Sequence, residues 1–353
     1  MTGTSGPVRF MDVRCRDAPG LAGATAAVAE VLAGGRYIGG PVLSRFEAAL
    51  AEAHGVARAV GVASGTDALM LALQAVGVGP GDEVLVPAVT FYSTAGAVRA
   101  LGAVPVLVDV LPDRPLMDPD DAARAAGPRT RAVVPVHLYG SLATAPELGL
   151  PVVEDGAQAV GRAPVGALMT LSFYPTKVLG AAGDGGAVLC HDRAVAERVR
   201  SLGFHGRTPA GSFVAPGGAP PRNCRLDAVQ AAWLHAMLSD LTRRVTRRRE
   251  IAARYDAELS LTPVPRDRDA PVSVYAVRHP QRDALVGALA ARGIETRVYY
   301  PRALGAEPAL QDLPRRATPH ADRFCAESLA LPCHGGLSDA DVGRVIQAVQ
   351  AAA

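Results

Sequence analysis

The sequence is short of several things, and each shortage removes a class of function. Among its 36 lysines and arginines there is one lysine, Lys177. Acids and bases nearly balance at a formal net charge of +2, so no whole-molecule field draws the chain to nucleic acid or to a membrane surface. No apolar run is long enough to cross a bilayer. The opening MTGTSGPVRFMDVRCRD lacks the basic start and apolar stretch of a secretory signal. Five cysteines (Cys15, Cys190, Cys224, Cys325 and Cys333) are scattered without a Cys-x-x-Cys pair. That pattern predicts reduced thiols in a cytoplasmic protein rather than disulfides or zinc ligands. The eight histidines show no His-Glu-x-x-His spacing, which predicts no metal site. No Gly-x-Gly-x-x-Gly lies at the first strand–helix turn, which disfavours a nicotinamide oxidoreductase.

What is present is a long apolar chain. With 353 residues, 49% of them hydrophobic, it can bury one large core and a smaller second one. From about residue 55 to 190, seven short β-rich runs alternate with Ala/Leu-rich helical stretches: AVGVAS, EVLVPAVT, VPVLVDV, AVVPVHL, PVVEDG, MTLSFY and GGAVLCH. Continuous hydrophobic strands separated by helices predict an α/β fold, with one wide, mostly parallel seven-stranded sheet covered by helices on both faces. The Gly/Pro loop SFVAPGGAPPRN then ends this pattern. The segment RLDAVQAAWLHAMLSDLTRRVTRRREIAARYDAEL follows with apolar residues at helical spacing, and predicts one long bridging helix. The remainder predicts strand, helix, strand, helix, with VSVYAVRHP and GIETRVYYP as the strands of a small α+β domain. The expected division is a large domain over residues 1–235, with an N-terminal arm to about residue 20, and a small domain over 236–353.

Ligands of a wound parallel sheet bind beyond the carboxyl ends of its strands, so the polar residues that end these runs are the candidates. Ser64–Asp67 close the first run in GVASGTDALMLAL, where a strand turns through Ser-Gly-Thr into a helix. Free N–H groups and the positive dipole end there suit an anion, although a plain helix start capped by Thr66 would look the same. Glu154 and Asp155 close the fifth run in VVEDGAQAVG, with Gln158 in the same loop. Two acids at the end of a buried strand are costly unless paired, so Asp155 either holds a cation or serves as a cap or structural salt bridge. Lys177, in LSFYPTKVLGAAGDGGAV, arrives at the same edge, and alone it could be an ordinary surface lysine. Together the three features match the needs of pyridoxal phosphate (PLP). An amine forms the Schiff base, a carboxylate keeps the pyridine nitrogen protonated, and a backbone nest takes the phosphate.

At these residues the sequence resembles the nucleotide-sugar aminotransferases of the DegT/StrS type, within the fold-type I PLP enzymes. The motifs GGRYIGGPVLSRFEAALAEAHGV, GVASGTDAL, PAVTFYSTAGAV, VHLYG, VVEDGAQAVG, LSFYPTKVLGAAGDGGAV, NCRLDAVQAA and GIETRVYYP occur in family order along nearly the whole chain. The resemblance implies that Lys177 carries the Schiff base and shuttles protons, that Asp155 pairs with the pyridine nitrogen, and that Gln158 lies near the ring hydroxyl. It implies phosphate binding by Gly65, Thr66 and Ser172, and stacking by Phe91 rather than Tyr92. It also implies that Asn223 reaches the phosphate from the neighbouring subunit of a homodimer. The implied reaction takes an amine from glutamate or glutamine and delivers it to a keto-sugar. SFYPTK, LGAAGDGGAV and NCRLD look most like enzymes that aminate carbon 3 of a dTDP-6-deoxy-keto-sugar, for an antibiotic or cell-surface amino sugar.

Some positions depart from the family pattern. Val178 replaces a polar residue, and Tyr299 and Gly305 stand where histidines are common. The connection from VHLYG to PVVEDG is short, which implies the loss of an outer helix, and RAPVGALMT is short too. These departures leave open an aminocyclitol or another cyclic ketone as acceptor, or a non-catalytic PLP-binding regulator. Among the remaining residues, the arginines of LTRRVTRRREIAARY predict a solvated helix face rather than a nucleic-acid patch. Arg225 suits either an anion or a salt bridge, His205 a structural role, and Trp233 a place in the core.

Overall fold

The computed structural model describes residues 6–14, 18–208, 210–215 and 220–352; Cys15 lies outside them. Two helices, α1 (Ala18–Gly34) and α2 (Gly40–Ala53), precede the first strand. All seven apolar runs then form strands: β1 (Arg58–Val62), β2 (Glu83–Pro87), β3 (Val104–Val108), β4 (Thr130–Val133), β5 (Val153–Asp155), β6 (Leu168–Ser172) and β7 (Gly186–Cys190). Between them lie α3 (Gly65–Ala75), α4 (Tyr92–Ala100) and α5 (Pro119–Ala125), and α6 (Arg193–Leu202) follows β7. Hydrogen bonding gives the orders β3-β2-β4 and β1-β7-β6-β5. Parallel bridges Val133–Val152 and Val136–Asp155 join the two sets into one sheet. Only β7 runs against its neighbours, β1 and β6. The connection from β4 to β5 holds a single 3-10 turn, Leu138–Gly140, in place of an α-helix.

Alternation along the strands explains why both faces are covered. Successive side chains point to opposite faces. Val60, Val62, Val84, Val86, Val188 and Cys190 therefore join α3, α4 and α6 in one core. Ala59, Met169, Leu171, Ala187 and Leu189 face the other way, against Leu43, Phe46 and Leu50 of α2 and the helix after the Gly/Pro loop.

That helix is not continuous. α7 (Ala228–Leu238) ends at Ser239, and α8 (Leu241–Glu258) begins after Asp240. The apolar spacing runs through the break and hides it. The arginines of α8 follow the expected solvated face only in part: Arg243 and Arg249 are exposed, but others turn inward or bridge to neighbouring segments. Arg248 is 4% exposed and donates to the carbonyls of Val272, Ser273 and Cys333. Arg247 binds Asp339 and the carbonyl of Leu337, and Arg249 the carbonyls of Asp269 and Ala270. They staple the helix to the rest of the chain.

A three-stranded antiparallel sheet, β10-β9-β8, follows: β8 (Thr262–Pro263), β9 (Tyr275–Arg278) and β10 (Ser328–Leu331). It packs with α9 (Arg282–Ala291), α10 (Pro319–Glu327) and α11 (Asp339–Gln350). GIETRVYYP is not a strand as expected. It makes single bridges, Ile294 to Val8 and Arg297 to Ala330, and then leaves the sheet so that Val298, Tyr299 and Tyr300 face a cavity. No helix among the described residues is long and apolar enough to cross a membrane.

Candidate active site

A cavity of about 580 Å³ opens beyond the carboxyl ends of the large sheet. Seven of the eight expected site residues line it: Gly65, Thr66, Phe91, Asp155, Gln158, Ser172 and Lys177. Asn223 does not; it is exposed and bridges Phe204 at the molecular surface.

One end of the cavity is built by the start of α3. Its cap is Ser64, whose hydroxyl accepts from the Asp67 N–H at 3.1 Å and donates to the Asp67 carboxylate at 2.7 Å. The cap expected at Thr66 is therefore corrected by two residues: Thr66 is already inside the helix. The first two helical N–H groups, of Gly65 and Thr66, have no carbonyl partner among the described residues. Gly65 is required here because a Cβ would lie 2.7 Å from Cβ of Ser172. Likewise a Cβ on Gly186 would meet the Ser64 carbonyl oxygen at 2.4 Å. The result is a small cradle of unpaired N–H groups with the Ser172 side chain beside it, at the positive end of a helix dipole.

The two acids that end β5 separate by the pleat. Glu154 is 2% exposed; it accepts from His137 Nε2 at 2.9 Å and from the N–H groups of Val165 and Gly166. Since His137 Nδ1 accepts from the Ala143 N–H at 3.0 Å, the ring proton lies on Nε2. Glu154 is thus the structural half of the pair, and Asp155 faces the cavity. Asp155 Oδ1 accepts from the Ala157 N–H at 3.1 Å, and Oδ2 from the Thr94 hydroxyl at 2.9 Å.

Lys177 is half-buried, and among the described residues its amine makes no hydrogen bond. Burial pushes its proton affinity down and the Asp155 carboxylate opposes this, leaving the amine below the usual lysine range. Gln158 Oε1 accepts from the Tyr139 N–H at 2.7 Å and the Ser273 hydroxyl at 3.3 Å, so its amide nitrogen is the group left for a ligand. Phe91 is 60% exposed, with its ring centroid 6.3 Å from that of Tyr300. Tyr92 is not part of the wall; its ring lies over Gly96. Burial and the Asp155 charge hold the Tyr300 phenol well above its usual range.

The roof comes from the start of the chain. Val8 pairs with Gly293 and Glu295 through its backbone, and the Phe10 N–H bonds the Glu295 carboxylate at 3.1 Å. Phe10 and Met11 then line the cavity, with the Phe10 ring centroid 5.9 Å from that of Tyr299.

The other singled-out residues fall outside the cavity. Arg225 has no salt bridge among the described residues; its guanidinium lies 4.3 Å from the Phe204 ring centroid, and its Nε is buried without a partner. His205 is exposed beside Phe204. Trp233 is half-buried against the α2/α7 core and donates to the Gly180 carbonyl. Val178 is buried in that core, and Gly305 lies in a 3-10 turn against Leu107. Of the departures only Tyr299 touches the cavity. The free thiols of Cys190, Cys224, Cys325 and Cys333 are all buried, and no cluster of metal-binding side chains occurs among the described residues.

Comparison with known proteins gives the same assignment. Residues 22–350 match the model of the DegT/DnrJ/EryC1/StrS aminotransferase family. A Streptomyces venezuelae relative, dTDP-3-amino-3,4,6-trideoxy-alpha-D-glucose transaminase, is 40% identical over 97% of this chain and 95% of its own. The crystal structure of S. venezuelae DesV in complex with a ketimine intermediate superposes with a TM-score of 0.92 at 38% identity, over 98% of both chains. That of NtdA from Bacillus subtilis with bound cofactor PMP has a TM-score of 0.91 at 26% identity, over 99% of this chain and 86% of its own. The predicted α/β class is that of these enzymes, and the chain belongs to the DegT/DnrJ/EryC1/StrS aminotransferase family.

Proposed function

We propose that the protein is a PLP-dependent aminotransferase that moves the amino group of glutamate or glutamine to a nucleotide-linked keto-sugar, at carbon 3 of a dTDP-linked 6-deoxyhexose. One observation carries the reading: two unpaired helix N–H groups, a braced carboxylate and the chain's single lysine surround one cavity. These residues fit the cofactor. Gly65, Thr66 and Ser172 would take its phosphate, Asp155 its pyridine nitrogen, Gln158 Nε2 its ring oxygen, and Phe91 would lie against its face. When bound, PLP supplies an aldehyde for amines and a ring that accepts electrons as a substrate C–H bond breaks.

Each residue then has a task of its own. The Lys177 amine, eased of its proton by burial, carries protons to and from the substrate carbon at Nζ. The Asp155 carboxylate keeps a positive charge on the group it faces. Phe10, Met11, Tyr299 and Tyr300 exclude water from the sugar side. Among the described residues Lys177 is the only cation in the cavity lining, while the donor carboxylates and the nucleotide diphosphate are anions. This favours a homodimer in which exposed Asn223, with Arg225 close by, enters the partner's cavity. The preference for carbon 3 rests on the S. venezuelae relative and on the SFYPTK and NCRLD motifs.

The test is an absorbance spectrum of the PLP-loaded protein before and after glutamate or glutamine, followed by a panel of dTDP-keto-hexoses. Loss of the cofactor band with donor, and its return with the 3-keto sugar, is the expected result. Return only with a 4-keto sugar or a cyclitol ketone overturns the acceptor assignment, and an unchanged spectrum overturns transamination.

A further inference from the structure

Behind Asp155, away from the cavity, lies a second hydroxyl that the reaction as described does not use. Thr94, fully buried in the first turn of α4, donates to Asp155 Oδ2 at 2.9 Å. The Thr90 and Thr94 hydroxyl oxygens are 2.8 Å apart. A carboxylate can only accept, so the single Thr94 proton is committed to Asp155. The hydrogen between the two threonines must therefore come from Thr90. This fixes a direction for the chain: Thr90 to Thr94 to Asp155. Thr90 follows β2 and is 3% exposed at the cavity wall, so the row of hydroxyls crosses from the β2–α4 turn to the end of β5. The other carboxylate oxygen is tied by the Ala157 N–H. Turning the carboxylate about its stem would break both bonds at once.

We propose that Thr94 is a positioning residue: through its oriented hydroxyl, supported by Thr90, it fixes the Asp155 carboxylate in the rotation that meets a protonated ring nitrogen. The proposal rests on the PLP reading above and deepens it. Thr94 does not line the cavity, so it acts only through Asp155. Thr90 lies outside α4, ahead of the extended cap residue Phe91, so it is the β2–α4 turn that folds its hydroxyl back onto Thr94 in the first turn of the helix.

The experiment measures binding to the apoprotein of pyridoxal phosphate and of its 1-deaza analogue, in which the ring nitrogen is replaced by a C–H. Wild-type, Thr94→Val and Thr94→Ser proteins are compared, with thermal melting as a check on folding. Thr94→Val keeps the shape and removes the donor. It is expected to weaken pyridoxal phosphate binding by about tenfold or more, the order of one hydrogen bond to a charged group, and to leave the analogue unaffected. Thr94→Ser is expected to restore the wild-type preference. Equal weakening of both ligands, no change in Thr94→Val, or a Thr94→Ser protein that behaves like Thr94→Val overturns the proposal alone. Failure of the wild-type protein to bind pyridoxal phosphate overturns the PLP reading and this proposal with it.

Discussion

Lys177 and Arg248 are both cations withdrawn from water, and the fold treats them in opposite ways. Arg248 is 4% exposed, yet three carbonyls take its protons and no carboxylate is within ion-pair reach among the described residues. All three bonds leave from Nη1 and tie α8 to the segments around Val272–Ser273 and Cys333. Lys177 is the less buried of the two and, among the described residues, has no hydrogen bond to its amine, only the attraction of Asp155 to offset its burial. A buried cation bonded to the carbonyls of other segments holds those segments together, and one whose amine is spare is held ready for a ligand. Glu154 and Asp155 repeat the lesson with the opposite sign. Glu154 is filled by His137 and two N–H groups, whereas Asp155 is braced from behind and left open in front.

Exchanging the roles should break the comparison most visibly at Lys177. Lys177→Ala is expected to lower transamination by about a thousandfold or more, since both amine capture and proton transfer are lost. Its melting temperature should stay close to wild type. Borohydride reduction of the PLP-loaded protein should fix label in the wild type and none at a side chain of the variant. Arg248→Met should do the reverse. It strands three carbonyls, which costs about 3 kcal/mol or more by denaturant titration, while reductive labelling of Lys177 persists below the transition. Equal stability losses in the two variants would remove the distinction.

A smaller effect is expected at His54, a buried group with both ring nitrogens bonded. His54 Nδ1 bonds the Leu50 carbonyl at 2.8 Å and Nε2 accepts from the Gly161 N–H at 2.9 Å, tying α2 to the loop after β5. Burial lowers its proton affinity below the ordinary value of 6.5. His334 is lowered the same way. The unfolded chain therefore takes up protons that the folded one refuses. Their contribution to stability is complete above about pH 6.5 and is lost as pH falls from there through the folded value. His54→Gln preserves a donor and an acceptor, so it should cost about 1 kcal/mol near pH 8 and flatten the acid slope, read from melting temperature against pH.

The large sheet was legible because its strands are mostly short, apolar-rich runs whose residues are largely buried on both faces. The candidate residues were legible because they end those runs. What sequence pattern concealed was contact between distant or ambiguous groups. Ser64 and Thr66 both flank Gly65, and only geometry shows which one caps. Thr90 and Thr94 stand in the very motif that supplies Phe91, and their spacing was the available sign of the hydroxyl row. His137 lies in VHLYG, but its pairing with Glu154 needs β4 beside β5. The break at Ser239–Asp240 leaves the helical spacing intact. β10 was missed because Ser328–Leu331 is four residues directly behind a helix, with no turn residue to announce it.

That the chain has a single side-chain amine, facing its functional cavity, has a practical consequence. A lysine-specific protease finds one peptide bond to cut, between Lys177 and the buried Val178. Digestion to the fragments 1–177 and 178–353 therefore clocks the opening of the catalytic cleft itself. Any ligand that closes the cleft slows that clock, whatever the rest of the molecule is doing.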